Sequence, residues 1–242
     1  MTLPALTTVP TTGVDGASPE LRAYVSRPAG DGPWPGVVVV HEAFGLDEVT
    51  CRQADRLAAA GYLAVAVDLF SAGGARRCLV STFRAMFAGH GRAFSDIEAT
   101  RAWTAGQDDC AGGVGVIGFC MGGGFAILAA SRGFDAAAVN YGQLPKDLDA
   151  AVADACPVVG SFGGRDPSLK GAAADLEGAL TRAGVAHDVK EYPQASHSFM
   201  NDAPVGPKVL RPLMRVGGLG PHPASAADAW RRIEDFFGTH LG

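Results

Sequence analysis

The chain has 242 residues, 48% of them hydrophobic and 19% charged, and a formal net charge of −5. That balance fits a soluble globular protein and counts against nucleic acid or an anionic membrane surface as the main partner. No apolar stretch approaches a membrane span, and Met1-Thr-Leu-Pro-Ala-Leu-Thr7 lacks the basic start and long apolar core of a secretory leader.

The length suits one well-filled core, so a single domain over residues 1–242 is expected. Five cysteines, an odd number without paired spacing, fit reduced thiols in a cytoplasm better than a disulfide framework. No cluster has metal-ligand spacing, and neither metal nor cofactor is expected.

Val37 to Val40 follows Gly36 as the first buried strand. Asp47 caps a helix that runs through Ala60 and stops at Gly61, and Leu63–Val67 is the next strand. Residues 71–92 are rich in Gly and Arg, with a short helix around Phe83 to Phe87. Ser95 and Glu98 form a capping-box pattern ahead of the helix that carries Trp103.

Val114–Gly118 is a strand that leads into a small-residue helix, Gly123 to Ala130. Further strands are expected over Asp135–Tyr141, Pro157–Phe162 and His187–Tyr192. Between the last two, Leu169, Ala173, Leu176 and Leu180 keep helical spacing up to Gly184. Residues 201–223 hold five prolines and four glycines, a long connection of the kind that is either a functional lid or a disordered segment, and Ser225 opens a final helix. Short Val-rich runs alternating with helices indicate an α/β fold: a mostly parallel sheet with helices on both faces.

Gly118-Phe-Cys120-Met-Gly122 places a nucleophile at a strand-to-helix turn flanked by glycines, the pattern of a nucleophile elbow with cysteine at its apex. A thiol nucleophile needs a base, and the base needs an orienting acid. Asp166 and His197 follow Cys120 in the α/β-hydrolase chain order, each just past a strand. Asp68 also follows a strand but precedes Cys120, and the other histidines lack the order or the loop position.

The helix dipole and an imidazolium partner favour a thiolate at such a position. The Met121 N–H is the first oxyanion donor, and the Ala43 N–H, in the turn after the first strand, is the second. Glu42 beside Ala43 is either a solvated loop acid or a carboxylate that tunes the thiol.

Cys120 in its Gly-x-Cys-x-Gly-Gly setting, Asp166, His197-Ser-Phe, Glu42-Ala-Phe-Gly, Val67-Asp-Leu-Phe70 and Asp96-Ile-Glu98 resemble the dienelactone hydrolase family over most of the chain. The resemblance implies a single-domain α/β-hydrolase fold and a Cys-His-Asp triad. It implies a glutamate that contacts the resting thiol until substrate displaces it, and opening of an enol-lactone of the carboxymethylenebutenolidase type. Partners would be a small ester or lactone, with the protein a monomer or small homo-oligomer.

The family carries a carboxylate-gripping arginine where this chain has Asn201. Arg76, Arg77 and Arg84 are candidates for a second such arginine, and Arg211 or Arg215 for a replacement of the first. His41, Phe44, Arg84 and Asn201 are the candidate substrate contacts.

Alternatives are a carboxylesterase of broader specificity and a non-hydrolytic module that binds a ligand or senses oxidants through Cys120. The spacing of Gly118, Gly122, Gly123 and Gly124 does not match a dinucleotide fingerprint.

Overall fold

A computed structural model of the protein describes residues 5–203 and 220–242. The Val-rich runs form strands because branched side chains fit a pleated surface covered on both sides. After β1 (Thr7–Val9) and β2 (Leu21–Ser26) come β3 (Trp34–Val40), α1 (Glu48–Ala59) and β4 (Leu63–Val67). Next are α2 (Ala75–Ala88), α3 (Arg92–Ala105), β5 (Cys110–Phe119), α4 (Met121–Ala129) and β6 (Ala136–Asn140). The chain continues through α5 (Leu148–Val152), β7 (Val158–Gly163), α6 (Ala172–Ala183), β8 (His187–Tyr192) and α7 (Pro223–His240).

One eight-stranded sheet results, in the order β1-β2-β4-β3-β5-β6-β7-β8. The six strands from β4 to β8 pair in parallel; β1 and β2 add an antiparallel margin that the sequence did not signal. Helices cover both faces. On one, α1 and α7 meet through Arg56 with Glu234 and with the Trp230 ring; on the other, α2 contacts α3 and α4, α4 contacts α5, and α5 contacts α6.

Val37 to Val40 and all five residues of β4 are fully buried. Each such valine is worth roughly 1.5–3 kcal/mol of burial.

Several ends fall where expected. Asp47 accepts the Thr50 N–H at 2.9 Å to cap α1, and Gly184 ends α6 in the left-handed region. Two starts differ. α3 begins at Arg92, with Gly91 as its cap, because the Ser95 hydroxyl donates to the Asp15 carbonyl instead of capping. α7 begins at Pro223, capped by the His222 ring at Ser225 N–H. α2 is a full fourteen-residue helix, longer than its sequence pattern indicated.

Register brings the carboxyl ends of the strands level. Val40 pairs with Val67 on one side and Gly118 on the other, Phe119 pairs with Asn140, and Gly163 with Tyr192. Loops leaving β3, β5, β6, β7 and β8 therefore share one edge, where open parallel sheets place their sites.

Candidate active site

Cys120 sits between β5 and α4 with φ 54° and ψ −115°, a conformation that costs an L-residue strain. The strain is held by close backbone approach. A Cβ on Gly118 would lie 1.9 Å from the Gly122 carbonyl oxygen, and one on Gly122 would lie 2.1 Å from the Val40 oxygen. Only glycine lets α4 pack this tightly on β3 and β5.

Asn140 completes the clamp. Its carbonyl accepts the Cys120 N–H at 3.1 Å and its Nδ2 donates to the Gly118 carbonyl at 3.2 Å. Its Oδ1 is buried without a partner among the described residues, a cost of about 1–3 kcal/mol concentrated at the elbow. Met121 is the first helical residue, so its N–H has no partner within the helix.

Asp166 and His197 meet from the loops after β7 and β8. His197 Nδ1 donates to Asp166 Oδ2 at 2.5 Å, while Asp166 Oδ1 accepts from the Ser168 N–H and hydroxyl. Burial alone would raise the Asp166 carboxyl, but the bonds from His197 and Ser168 hold it below the usual range. For His197, burial opposes the imidazolium, yet Asp166 and then Cys120 outweigh it and raise the ring to about 10. The imidazole is thus oriented through Nδ1 by a buried carboxylate, and among the described residues no hydrogen bond joins it to Cys120. Tyr141 packs its ring edge against His197 at 5.3 Å between centroids.

Glu42 is buried. Its Oε1 accepts from the Ser198 hydroxyl and from Asn201 Nδ2, each at 3.1 Å. Tyr141 has one hydroxyl proton to give. Asn201 Oδ1 accepts it at 3.4 Å. Burial raises the Glu42 carboxyl above the ordinary range despite these donors.

Among the described residues, no hydrogen bond joins Glu42 to Cys120, so the resting contact expected from the family resemblance is not made. Ser198, with φ 59°, and Asn201 draw the carboxylate to their own turn instead.

The remaining expectations divide. Ala43 and Phe44 occupy the loop after β3, with Phe44 39% exposed. His41 is not a substrate contact. It is fully buried, its Nδ1 donates to the Glu42 carbonyl at 2.6 Å, and its Nε2 accepts the Leu69 N–H at 3.1 Å. Burial pushes its pKa down, in keeping with a neutral ring whose two nitrogens tie loop 41–46 to the end of β4.

Asn201 is likewise committed, since its Oδ1 accepts from Gln53 Nε2 at 3.0 Å while its nitrogen serves Glu42. Arg84 lies on α2, on a cavity of about 380 Å³ that includes His90, Arg92 and Thr82 but none of Cys120, Asp166, His197 or Glu42. Arg76 and Arg77 open the same helix. Arg211, Arg215 and most of the 201–223 connection, with the choice between lid and disordered segment, lie outside the described residues. Asp68 is taken up by Arg22 and the Phe70 N–H.

Tyr141, Ser198, Gln53 and Asn140 went unread in the sequence. Tyr141 and Ser198 carry a usable signal, one following a strand end and the other adjoining His197, whereas Gln53 arrives only through packing of α1. All five cysteines are free, no metal-binding group occurs among the described residues, and none of the described helices is long and apolar enough to cross a membrane.

The family model for the dienelactone hydrolase family matches residues 21–241. A Yersinia pestis protein named "Putative carboxymethylenebutenolidase" is 32% identical, over 97% of this chain and 87% of the relative. One of the same name from Methylorubrum extorquens is 31% identical, over 92% and 77%. Among solved structures, "Putative Dienelactone Hydrolase" from Klebsiella pneumoniae superposes with a TM-score of 0.79 at 28% identity, covering 98% of each chain. With a strained cysteine elbow, a histidine–carboxylate pair and these matches in hand, the chain belongs to the dienelactone hydrolase family of carboxylic ester hydrolases.

Proposed function

We propose that the protein hydrolyses small esters or lactones through a Cys120–His197–Asp166 triad and a thioester intermediate. The sulfur of Cys120 attacks the acyl carbon, forming a C–S bond and an oxyanion that the Met121 and Ala43 N–H groups receive. Collapse breaks the ester C–O bond. The leaving oxygen takes a proton from the His197 imidazolium, or departs as an enolate from an enol-lactone, which is the substrate type the family favours. His197 then removes a proton from water, water adds to the thioester, and the acid leaves as the thiol is restored. Asp166 fixes the imidazole tautomer and stabilises its charged form throughout.

The observation that carries this reading is the 2.5 Å contact between His197 and Asp166, on loops that leave the same sheet edge as the strained Cys120 elbow. Cys120→Ala tests it. Turnover of an activated aryl ester is expected to fall by at least about a thousandfold, with an unchanged melting temperature. A variant that folds and keeps its rate removes Cys120 from the reaction.

A further inference from the structure

The scheme above leaves the Glu42 carboxylate without a task, although it is one residue from the Ala43 oxyanion donor. It is 6% exposed, and each hydrogen bond it accepts from the described residues comes from a neutral group, Ser198 or Asn201. Among those residues no lysine, arginine or histidine forms an ion pair with it, and the His197 ring is already given to Asp166. A carboxylate cradled by neutral donors leaves its negative charge directed at whatever binds beside it.

Asn201 cannot relieve that. Its amide nitrogen is given to Glu42 and its oxygen to Gln53, an orientation fixed by the Gln53 donor. A substrate carboxylate brought against this corner would face a second, buried carboxylate, or force one of the two to take up a proton. An uncharged acyl or lactone group meets neither penalty.

We propose that Asn201 and Glu42 are specificity-determining residues that select esters and lactones with no carboxylate next to the scissile bond. This rests on the hydrolase reading above and narrows its substrate class.

Two matched pairs test the idea with the wild-type protein. One is an enol-lactone with an exocyclic methylene against the same ring with a carboxymethylene. The other is an aryl ester of a plain acyl chain against that of its carboxyl-terminated counterpart. In whichever pair turns over, the uncharged member is expected to lead by at least about tenfold in kcat/KM. Equal rates, or a lead for the carboxylated member, overturn the inference while leaving the hydrolase reading intact. No turnover of any of the four overturns both.

Asn201→Arg, which brings a guanidinium to Glu42, is expected to shrink the preference by about tenfold through the carboxylated substrate's kcat/KM. A folded variant with an unmoved ratio shows that this corner does not set specificity.

Discussion

The two sides of the site are held by different forces. On the elbow side, Gly118, Gly122 and Val40 meet backbone to backbone, and the position of Cys120 follows from an absence of side chains. On the loop side, Asp166, His197, Ser198, Asn201 and Glu42 come from three separate loops and are joined by side-chain hydrogen bonds. The first arrangement fails when volume is added, the second when polarity is removed. Damage to the elbow should appear in folding, and damage to the loops in catalysis.

Asp166→Asn should break the loop side most severely. It removes the acceptor that fixes the His197 tautomer, and kcat is expected to fall on the order of a hundredfold to ten-thousandfold with little loss of fold. His197 is raised to about 10 in the intact pair. Proton donation to a poor leaving group therefore persists up to that pH and declines above it. In the asparagine variant the alkaline limb of the rate profile should move to lower pH; an unmoved limb would detach Asp166 from His197.

Gly122→Ala makes the opposite cut. Its methyl group would lie 2.1 Å from the Val40 carbonyl oxygen, against rigid backbone. Denaturant melts should show a loss of at least about 3 kcal/mol. A stable alanine variant would mean that the elbow is looser than its contacts indicate.

His41→Leu probes the seam between the two sides, where the imidazole ties the Glu42 carbonyl to the Leu69 N–H. Stability is expected to drop by about 1–3 kcal/mol at neutral pH. The folded-state pKa of His41 is depressed from 6.5, so the neutral ring stabilises the native state above that pH and the contribution drains away as pH falls below it. The gap between wild type and variant should therefore narrow in acid; a gap independent of pH would place the ring's contribution in packing alone. By contrast Arg182→Ala breaks an ion pair with Asp149 whose partners are 63% and 65% exposed, and should change stability by less than about 0.5 kcal/mol.

The same division explains what could be read in advance. Glycines that permit a close approach, a cysteine between them, and an acid and a histidine in fixed chain order are all local signals, and the elbow and strand ends followed from them. The antiparallel margin was not legible because β1 is three residues long and β2 mixes Arg22 and Ala23 without a strong apolar run. Ser95 looked like a cap because the sequence could not reveal Asp15 as its partner.

His41 resembled a pocket residue for a similar reason: its two bonding partners are Glu42, next to it, and Leu69, which only the pairing of β3 with β4 brings near. The Gln53–Asn201–Glu42 chain joins α1 to two distant loops and has no local periodicity at all.

The most direct test of the thioester route is to mix the wild-type protein with an activated aryl ester, quench in acid, and weigh the intact chain before mapping its peptides. One added acyl group on the peptide carrying Cys120, formed within the first turnover and cleared afterwards, is the expected result. Turnover accompanied by acylation at another residue, or by no adduct under conditions where release of the acid is slow, would contradict it.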